Sequence, residues 1–140
     1  MKISPAAELA VRGVLVLAEH YGRGPVTLAQ VCMGRELPKE YLTKIFASLA
    51  KADIVTPIRG KNGGYILARQ PAAITLLEVI EAVEGTLALN YCQHSPSKCD
   101  RIDCKVRPVW TELQNAMRDK LSSMRLSDFL GDGKAPPPFE

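Results

Sequence analysis

Three of the four cysteines in this 140-residue sequence lie close together, at Cys92, Cys99 and Cys104. Pro96, the serines and the charged residues between them leave no apolar repeat of period 2 or 3.6, so the stretch is predicted to be a loop. Thiols gathered in this way form disulfides, hold a metal centre or carry out redox chemistry. Disulfide pairing would leave one thiol over, and no secretory signal pattern stands at the N-terminus. The loop therefore favours a metal centre, with a reactive-thiol switch or a loop without chemistry as the alternatives.

Zinc binding and enzyme catalysis are the other chemistries that these side chains suggest. A zinc site would combine the three loop cysteines with His94, but zinc loops normally carry closer Cys-x-x-Cys pairs, which this sequence lacks. A cysteine-dependent enzyme needs a base, and the sequence has only His20 and His94. No nucleophile elbow accompanies them, so we expect no enzyme.

Composition and charge narrow the class of partner. The length fits one domain or a compact domain with an appendage, and a hydrophobic content of 46% is enough for a core. No apolar run reaches the roughly 18 residues of a membrane span, so a cytoplasmic protein without membrane contact is expected. The net charge is only +3, but between Arg35 and Arg69 seven basic residues face three acidic ones. Such a segment is typical of a nucleic-acid partner, and a solvated helix face is the alternative.

Three short helices are predicted to position this basic segment. Ser4 and Pro5 are typical of a helix start, Thr27 caps a second helix that runs to Met33, and a third is predicted over 39–52. Cys32 lies on the apolar face of the second helix and is expected to be buried, not a ligand. The third helix should bury Tyr41, Leu42, Ile45, Phe46, Leu49 and Ala52. It should expose Lys39, Glu40, Thr43, Lys44 and Lys51. This pattern is typical of a helix-turn-helix.

A β-hairpin is predicted directly after the third helix. Apolar strands over 54–58 and 65–67 flank a turn that contains Asn62-Gly63, a dipeptide typical of tight hairpins. Arg59 and Lys61 in this turn suit the narrow, negative minor groove of DNA. A helix-turn-helix followed by a basic hairpin is a winged helix, and a solvated turn is the alternative.

The rest of the chain is predicted to add two helices. Thr75 and Glu78 form a capping box for a helix that ends at Gly85. Beyond the cysteine loop, apolar residues recur at spacings of three and four from Val106 to Met124. This long helix is interpreted as a dimer interface, with an intramolecular core helix as the alternative. The expected fold class is mainly α with a small β-hairpin wing, a winged helix-turn-helix plus a long dimerisation helix. The predicted segments are a DNA-binding head (1–85), a cysteine loop (86–104), dimerisation and C-terminal helices (105–130) and a disordered tail (131–140).

Several motifs of this sequence occur together in one known family. They are Pro25-Val26-Thr27-Leu28-Ala29, Tyr41-Leu42 with Ile45-Phe46, Arg59-Gly60-Lys61-Asn62-Gly63-Gly64-Tyr65, Ala82-Val83-Glu84-Gly85 and the three-cysteine loop. With them the chain, up to about residue 130, resembles the Rrf-type winged-helix transcriptional regulators. The resemblance implies a homodimer that binds a palindromic operator in double-stranded DNA through the third helix and the wing.

The resemblance also implies which residues contact DNA. By position, Glu40, Thr43 and Lys44 are the base-reading residues and Arg59 is the minor-groove arginine. The neighbouring Lys39 and Lys61 complete the predicted DNA-binding set. IscR-like members have Glu and Gln where this chain has Thr43 and Lys44, so a different operator sequence is expected.

An iron–sulfur cluster held by Cys92, Cys99 and Cys104 is the other implication, [4Fe-4S] in the first place and [2Fe-2S] as the alternative. Here six and four residues separate the cysteines, where five and five is commoner in the family. Arg107 stands where IscR-like members have a histidine ligand, and an arginine cannot be deprotonated to bind a metal.

The fourth ligand is open between three candidates. NsrR-like members use an acidic residue from the first helix of the partner subunit, and Glu8 occupies that position. His94 or a small molecule is the alternative, and Glu8 would otherwise form a surface ion pair with Arg12. The predicted function is a dimeric transcriptional regulator, a repressor or an activator, whose operator affinity is controlled by a cluster that senses nitric oxide, iron or redox state. The alternative is a cluster-free regulator that senses by cysteine oxidation or by docking a partner enzyme.

Overall fold

The computed structural model describes residues 3–32, 38–94, 96–101 and 103–131, with Tyr91 described by its backbone alone. Its helices are α1 (Pro5–Glu19), α2 (Leu28–Cys32), α3 (Lys39–Lys51), α4 (Leu76–Glu84) and α5 (Arg107–Ser123). Strands β1 (Val55–Ile58) and β2 (Gly64–Leu67) pair antiparallel. Short 3₁₀ turns lie at Pro71–Ala73, Tyr91–Gln93 and Leu126–Phe129. The predicted fold, mainly helical with one hairpin, is confirmed.

Two of the sequence predictions fall partly outside this region. The end of the second helix at Met33 and the tail from 132 onward lie outside the described residues. Within the described ranges, no helix has both the length and the apolar character that crossing a membrane requires.

The core forms around the ring of Phe46, which is fully buried. This ring lies against Gly13 of α1, where an added Cβ would stand 2.9 Å from the Phe46 Cζ atom. It also packs on the ring of Tyr65 in β2, with 4.8 Å between the ring centroids. One side chain of α3 therefore joins α1 and the hairpin. Burial of a side chain of this size contributes about 1.5–3 kcal/mol to stability.

The buried face of α3 follows helical spacing and consists of Leu42, Ile45, Phe46 and Leu49. The expectation that Tyr41 and Ala52 are also buried is wrong. Tyr41 lies beside this stripe and is 37% exposed. Ala52 is exposed because the helix has already ended at Lys51. All five predicted outward residues of α3 are exposed, as expected.

The hairpin is fastened to the chain just before α2. Val26 and Tyr65 exchange two backbone hydrogen bonds, of 2.9 and 2.8 Å. Gly64 allows this close approach, because an added Cβ would lie 2.5 Å from the Val26 carbonyl oxygen and φ is +153°. In the ladder, Val55 stands opposite Leu67 and Ile58 opposite Gly64. The hairpin is thus a wing held at its base, with its turn free to project.

The predicted capping box of α4 is present. Thr75 Oγ1 accepts a hydrogen bond from the Glu78 backbone N–H at 3.2 Å, and Glu78 Oε2 accepts from the Thr75 N–H at 2.8 Å. The helix ends at Gly85, as predicted, with φ of +82°. Its last residue, Glu84, accepts a hydrogen bond from the Ser4 N–H at 2.7 Å. This bond ties the start of α1 to the end of α4.

The chain returns to the core immediately after α5. Leu126 is fully buried, and its backbone N–H donates to the Ile74 carbonyl at 3.0 Å. The Leu76 N–H donates to the Met124 carbonyl at 3.0 Å. Leu126 thus belongs to the core of the head although it lies beyond residue 85. The division of the chain into four segments stays a prediction.

α5 itself packs loosely on the rest of the chain. All of its residues are described, and none of them is buried. The exposed fractions are 43% for Val106, 49% for Val109 and 47% for Leu113. The predicted apolar stripe is therefore open on this side of the helix, which disfavours the alternative of an intramolecular core helix.

Leu126→Ala should lower the free energy of unfolding by about 2–5 kcal/mol, because it opens a cavity where α5 is anchored. The matched control is Phe129→Ala in the same turn, since Phe129 is 45% exposed. Urea denaturation measures both variants. Equal losses would contradict anchoring through the Leu126 side chain.

Candidate nucleic-acid interface and candidate metal centre

The outward face of α3 presents a mixed polar surface. Lys39, Glu40, Thr43 and Lys44 are all exposed, and none of them takes part in an ion pair with a described residue. Thr43 Oγ1 donates to the Lys39 carbonyl at 2.8 Å, which leaves the oxygen as an acceptor toward solvent. These side chains are available to groups outside the chain.

The wing carries the second part of this surface. Arg59 and Lys61 are exposed, and the turn is closed by a hydrogen bond of 3.1 Å from the Gly63 N–H to the Gly60 carbonyl. The contact between Phe46 and Tyr65 links the helix to the hairpin. The relative placement of α3 and the wing is therefore set by the core rather than by their surface residues.

Arg69 does not belong to this surface, although it contributed to the predicted excess of positive charge. Its Nε donates to the Asp53 carbonyl at 3.1 Å, and its Nη1 donates to the Ala73 carbonyl at 2.9 Å and to Glu78 Oε1 at 3.2 Å. Asp53 has a left-handed φ of +58°, so Arg69 braces the turn between α3 and β1. Arg35, at the other end of the basic segment, lies outside the described residues.

The cysteine loop is irregular apart from the 3₁₀ turn at Tyr91–Gln93. Cys92, Cys99 and Cys104 are half-buried. Among the described residues, no three His, Cys, Asp or Glu side chains stand close enough together to hold a metal ion. The structure therefore places the three thiols on one loop but does not bring them together. Cys32, which was expected to be buried, is half-buried at the end of the short helix α2.

Two neighbouring side chains fix the position of Cys92. Its thiol donates to Asn90 Oδ1 at 3.1 Å and accepts from Gln93 Nε2 at 3.3 Å. Gln93 Nε2 also donates to Thr111 Oγ1 of α5 at 3.0 Å. The Cys92 end of the loop is therefore connected to α5 by hydrogen bonds.

Further polar contacts hold the segment that leads into the loop. Glu81 Oε2 accepts from the Leu87 N–H at 2.7 Å and from Arg118 Nη1 at 2.8 Å. Gln114 Oε1 accepts from the Leu89 N–H at 2.7 Å.

Sequence reasoning missed this polar face of α5. Thr111, Gln114 and Arg118 are spaced i, i+3 and i+7, which puts them on one side of the helix. That spacing was the available signal.

Arg107, the first residue of α5, holds the other end of the loop. Its backbone N–H donates to the Cys104 carbonyl at 3.2 Å, and its Nη2 donates to the Arg101 carbonyl. Its Nε is buried and has no hydrogen-bond partner within the described part of the chain. An unpaired cationic donor at the Cys104 end of the loop suits an anionic group, and a cluster bound by thiolates is anionic. The donor set therefore fits an iron–sulfur cluster.

The two candidates for the fourth ligand lie in different places. Glu8 is exposed on the first turns of α1, and the expected ion pair with Arg12 does not form among the described residues. An exposed ion pair on a helix surface contributes at most about 0.5 kcal/mol, which is too little to hold the two side chains together. His94 is half-buried in the loop, two residues after Cys92.

Residues 3–132 match the family model Rrf2, described as an iron-dependent transcriptional regulator. The chain is 33% identical over 130 residues to a protein of Azotobacter vinelandii named as an HTH-type transcriptional regulator, which covers 93% of this chain and 79% of the relative. Among solved structures it is similar to IscR of T. potens, with 32% identity, a TM-score of 0.76 and coverage of 96% and 89%. It is also similar to CymR, the global cysteine regulator of B. subtilis, with 28% identity, a TM-score of 0.78 and coverage of 91% and 95%.

Proposed function

The chain belongs to the Rrf2 family of transcriptional regulators, and we propose that within this family its operator affinity is controlled by an iron–sulfur cluster. As a member of the family it is a DNA-binding regulator and not an enzyme. The observation that carries the proposal is the cysteine loop, which contains three half-buried thiols and is tied to α5 at both ends.

DNA is read by α3 and the wing. Glu40, Thr43 and Lys44 contact base edges in the major groove, and Lys39 contacts phosphate. Arg59 and Lys61 enter the minor groove, whose negative potential favours cations. The exposure of all six side chains supports this assignment.

The active form is a homodimer that pairs through α5. The open stripe of Val106, Val109 and Leu113 on a helix without buried residues supports this arrangement, because an uncovered apolar face of this kind is typical of a protein interface. A two-fold dimer places its two reading heads on the half-sites of a palindromic operator.

Cys92, Cys99 and Cys104 hold the cluster as thiolates, and Arg107 balances their charge. Bound there, a [4Fe-4S] cluster, or a [2Fe-2S] cluster as the alternative, supplies a centre that reacts with nitric oxide or oxidants and depends on iron supply. Glu8 of the partner subunit completes the ligand set, with His94 as the alternative. A carboxylate is a harder ligand than a thiolate, so Glu8 is the exchangeable member of the set. Its release would separate α1 of one subunit from the cysteine loop of the other.

A second candidate is a cluster-free regulator that senses through cysteine oxidation or a docked enzyme. The likeness to a cysteine regulator favours it, as does the separation of the three thiols among the described residues. Iron and sulfide content after anaerobic purification distinguishes the two candidates.

Lys44→Ala and Arg59→Ala should each weaken operator binding by about 1–3 kcal/mol, because each removes a cation that reaches DNA. Lys98→Ala is the control, since it removes the same charge from the cysteine loop. Titration of labelled operator DNA measures the affinities, which should also fall steeply with salt. Unchanged affinity in both variants would refute the assignment of α3 and the wing.

Leu113→Glu should shift the protein from dimer to monomer, because it puts a charge in the open stripe. Glu112→Gln, a change at the neighbouring exposed position, is the control. Light scattering at micromolar concentration measures the mass. A wild-type monomer under these conditions would contradict the dimer.

Cys92→Ala, Cys99→Ala and Cys104→Ala should each abolish cluster incorporation, whereas Cys32→Ala should retain it. Glu8→Ala should retain part of the cluster with an altered spectrum and weakened operator binding. Iron content and the absorption spectrum of anaerobic protein check these outcomes. If His94→Ala alters the spectrum while Glu8→Ala leaves spectrum and affinity unchanged, the ligand from the partner's first helix is wrong.

A further inference from the structure

We propose that Thr111 is the positioning residue through which the state of Cys92 is transmitted to the dimer helix α5. This inference rests on the proposed function, because it assumes that Cys92 is a cluster ligand. It assigns a role to a side chain that has no place among the ligands or the DNA-reading residues.

A continuous chain of hydrogen bonds leads from Cys92 to the start of α5. Gln93 Nε2 donates one proton to Cys92 Sγ at 3.3 Å and the other to Thr111 Oγ1 at 3.0 Å. An amide NH₂ group has two donor protons, so both bonds can form together. Thr111 Oγ1 then donates its own proton to the Arg107 carbonyl at 3.0 Å. In this series of hydrogen bonds each proton is donated once, and each bond has one donor and one acceptor.

The same helical turn also holds the second half of the cysteine loop. The Arg107 backbone N–H donates to the Cys104 carbonyl at 3.2 Å, and its guanidinium donates to the Arg101 carbonyl. The first turn of α5 is therefore where the Cys92 half and the Cys104 half of the loop meet. A rearrangement of the two halves of the loop around one centre would act on this turn through these links.

Thr111 is the link that can be removed without touching a ligand. It is half-buried, lies on the polar side of α5 and does not belong to the exposed stripe of Val106, Val109 and Leu113. Its hydroxyl is the only connection that Gln93 Nε2 makes to α5 among the described residues. A hydrogen bond donated to a ligand sulfur, and the group that orients this donor, tune a metal centre from outside its ligand shell.

The test compares Thr111→Val with Thr111→Ser in the full-length protein, loaded anaerobically and metal-free. Valine keeps the shape of threonine and removes the hydroxyl, whereas serine keeps the hydroxyl. Ser122→Ala is the control for loss of a hydroxyl from α5, since Ser122 bonds only to Asp119 within the described structure. The DNA probe is a duplex selected by the wild-type protein from a random library.

Thr111→Val should take up iron normally, but the ratio of operator affinities between loaded and metal-free protein should fall roughly 2- to 30-fold. The reduction potential of the cluster should also shift, because Gln93 is no longer held toward Cys92. Thr111→Ser and Ser122→Ala should keep the wild-type ratio. A wild-type ratio in Thr111→Val, with wild-type iron content, overturns the proposal and leaves the proposed function intact.

A second measurement does not depend on the cluster. In metal-free protein, amide hydrogen exchange over residues 87–93 should accelerate about 5-fold in Thr111→Val, the effect of losing one neutral hydrogen bond, and return in Thr111→Ser. Unchanged exchange overturns the link from Gln93 Nε2 to Thr111, because the second contact of Gln93 with α5, from Gln114 Nε2 to the Gln93 carbonyl at 3.4 Å, is present in every variant. A wild-type protein that takes up no iron under any condition refutes the proposed function, and this exchange measurement then decides whether the link itself exists.

Discussion

The contact that the rest of the structure depends on is the packing of Phe46 between α1 and the hairpin. Its ring lies so close to Gly13 that a methyl group there would stand 2.9 Å away, and Tyr65 covers it from the wing. Three elements that are far apart in sequence therefore share one buried ring. Because protein interiors are close-packed, none of the three can shift independently. This contact fixes the distance between the exposed face of α3 and the wing. A DNA-reading surface made of these two elements needs such a fixed distance.

α5 is held by a different kind of force. Its far end is fixed by burial of Leu126 in the core, and the ion pair between Arg118 and Glu81 joins it to α4, but its near end is connected to the cysteine loop mainly by hydrogen bonds. Such polar contacts are individually weak, about 0.5–1.5 kcal/mol for a hydrogen bond, and they can be exchanged for water at the surface. The molecule thus combines a rigid reading head with a loop that can be rearranged at moderate cost. This contrast suits a protein in which chemistry at the loop changes binding at the head.

The parts of the fold that could be predicted from the sequence are those set by neighbouring residues. The capping box of Thr75 and Glu78, the hairpin after α3 and four of the six predicted inward residues of α3 each need only a few consecutive positions, and the structure contains them. The burial of Leu126 and the bracing by Arg69 could not be predicted, because their partners are distant in sequence. The three thiols could be named from their spacing, but the described part of the fold does not bring them together. The spacing of the polar residues predicts a polar face on α5, but only the fold shows that this face lies against the cysteine loop.

Because Leu126 is buried in the core directly after α5, a movement of the first turn of α5 would rotate the helix about its C-terminal end. A helix of 17 residues is about 25 Å long, at a rise of 1.5 Å per residue. A displacement of about 2 Å at its first turn therefore rotates the helix by roughly 5° about the anchored end. In a symmetric dimer the α5 helix of each subunit would rotate by this angle, in opposite directions. The change in the distance between the two reading heads would then be the sum of the two displacements. Operator half-sites have a fixed separation, so under the proposed function a small chemical change at the loop would be converted into a mismatch of distance on DNA.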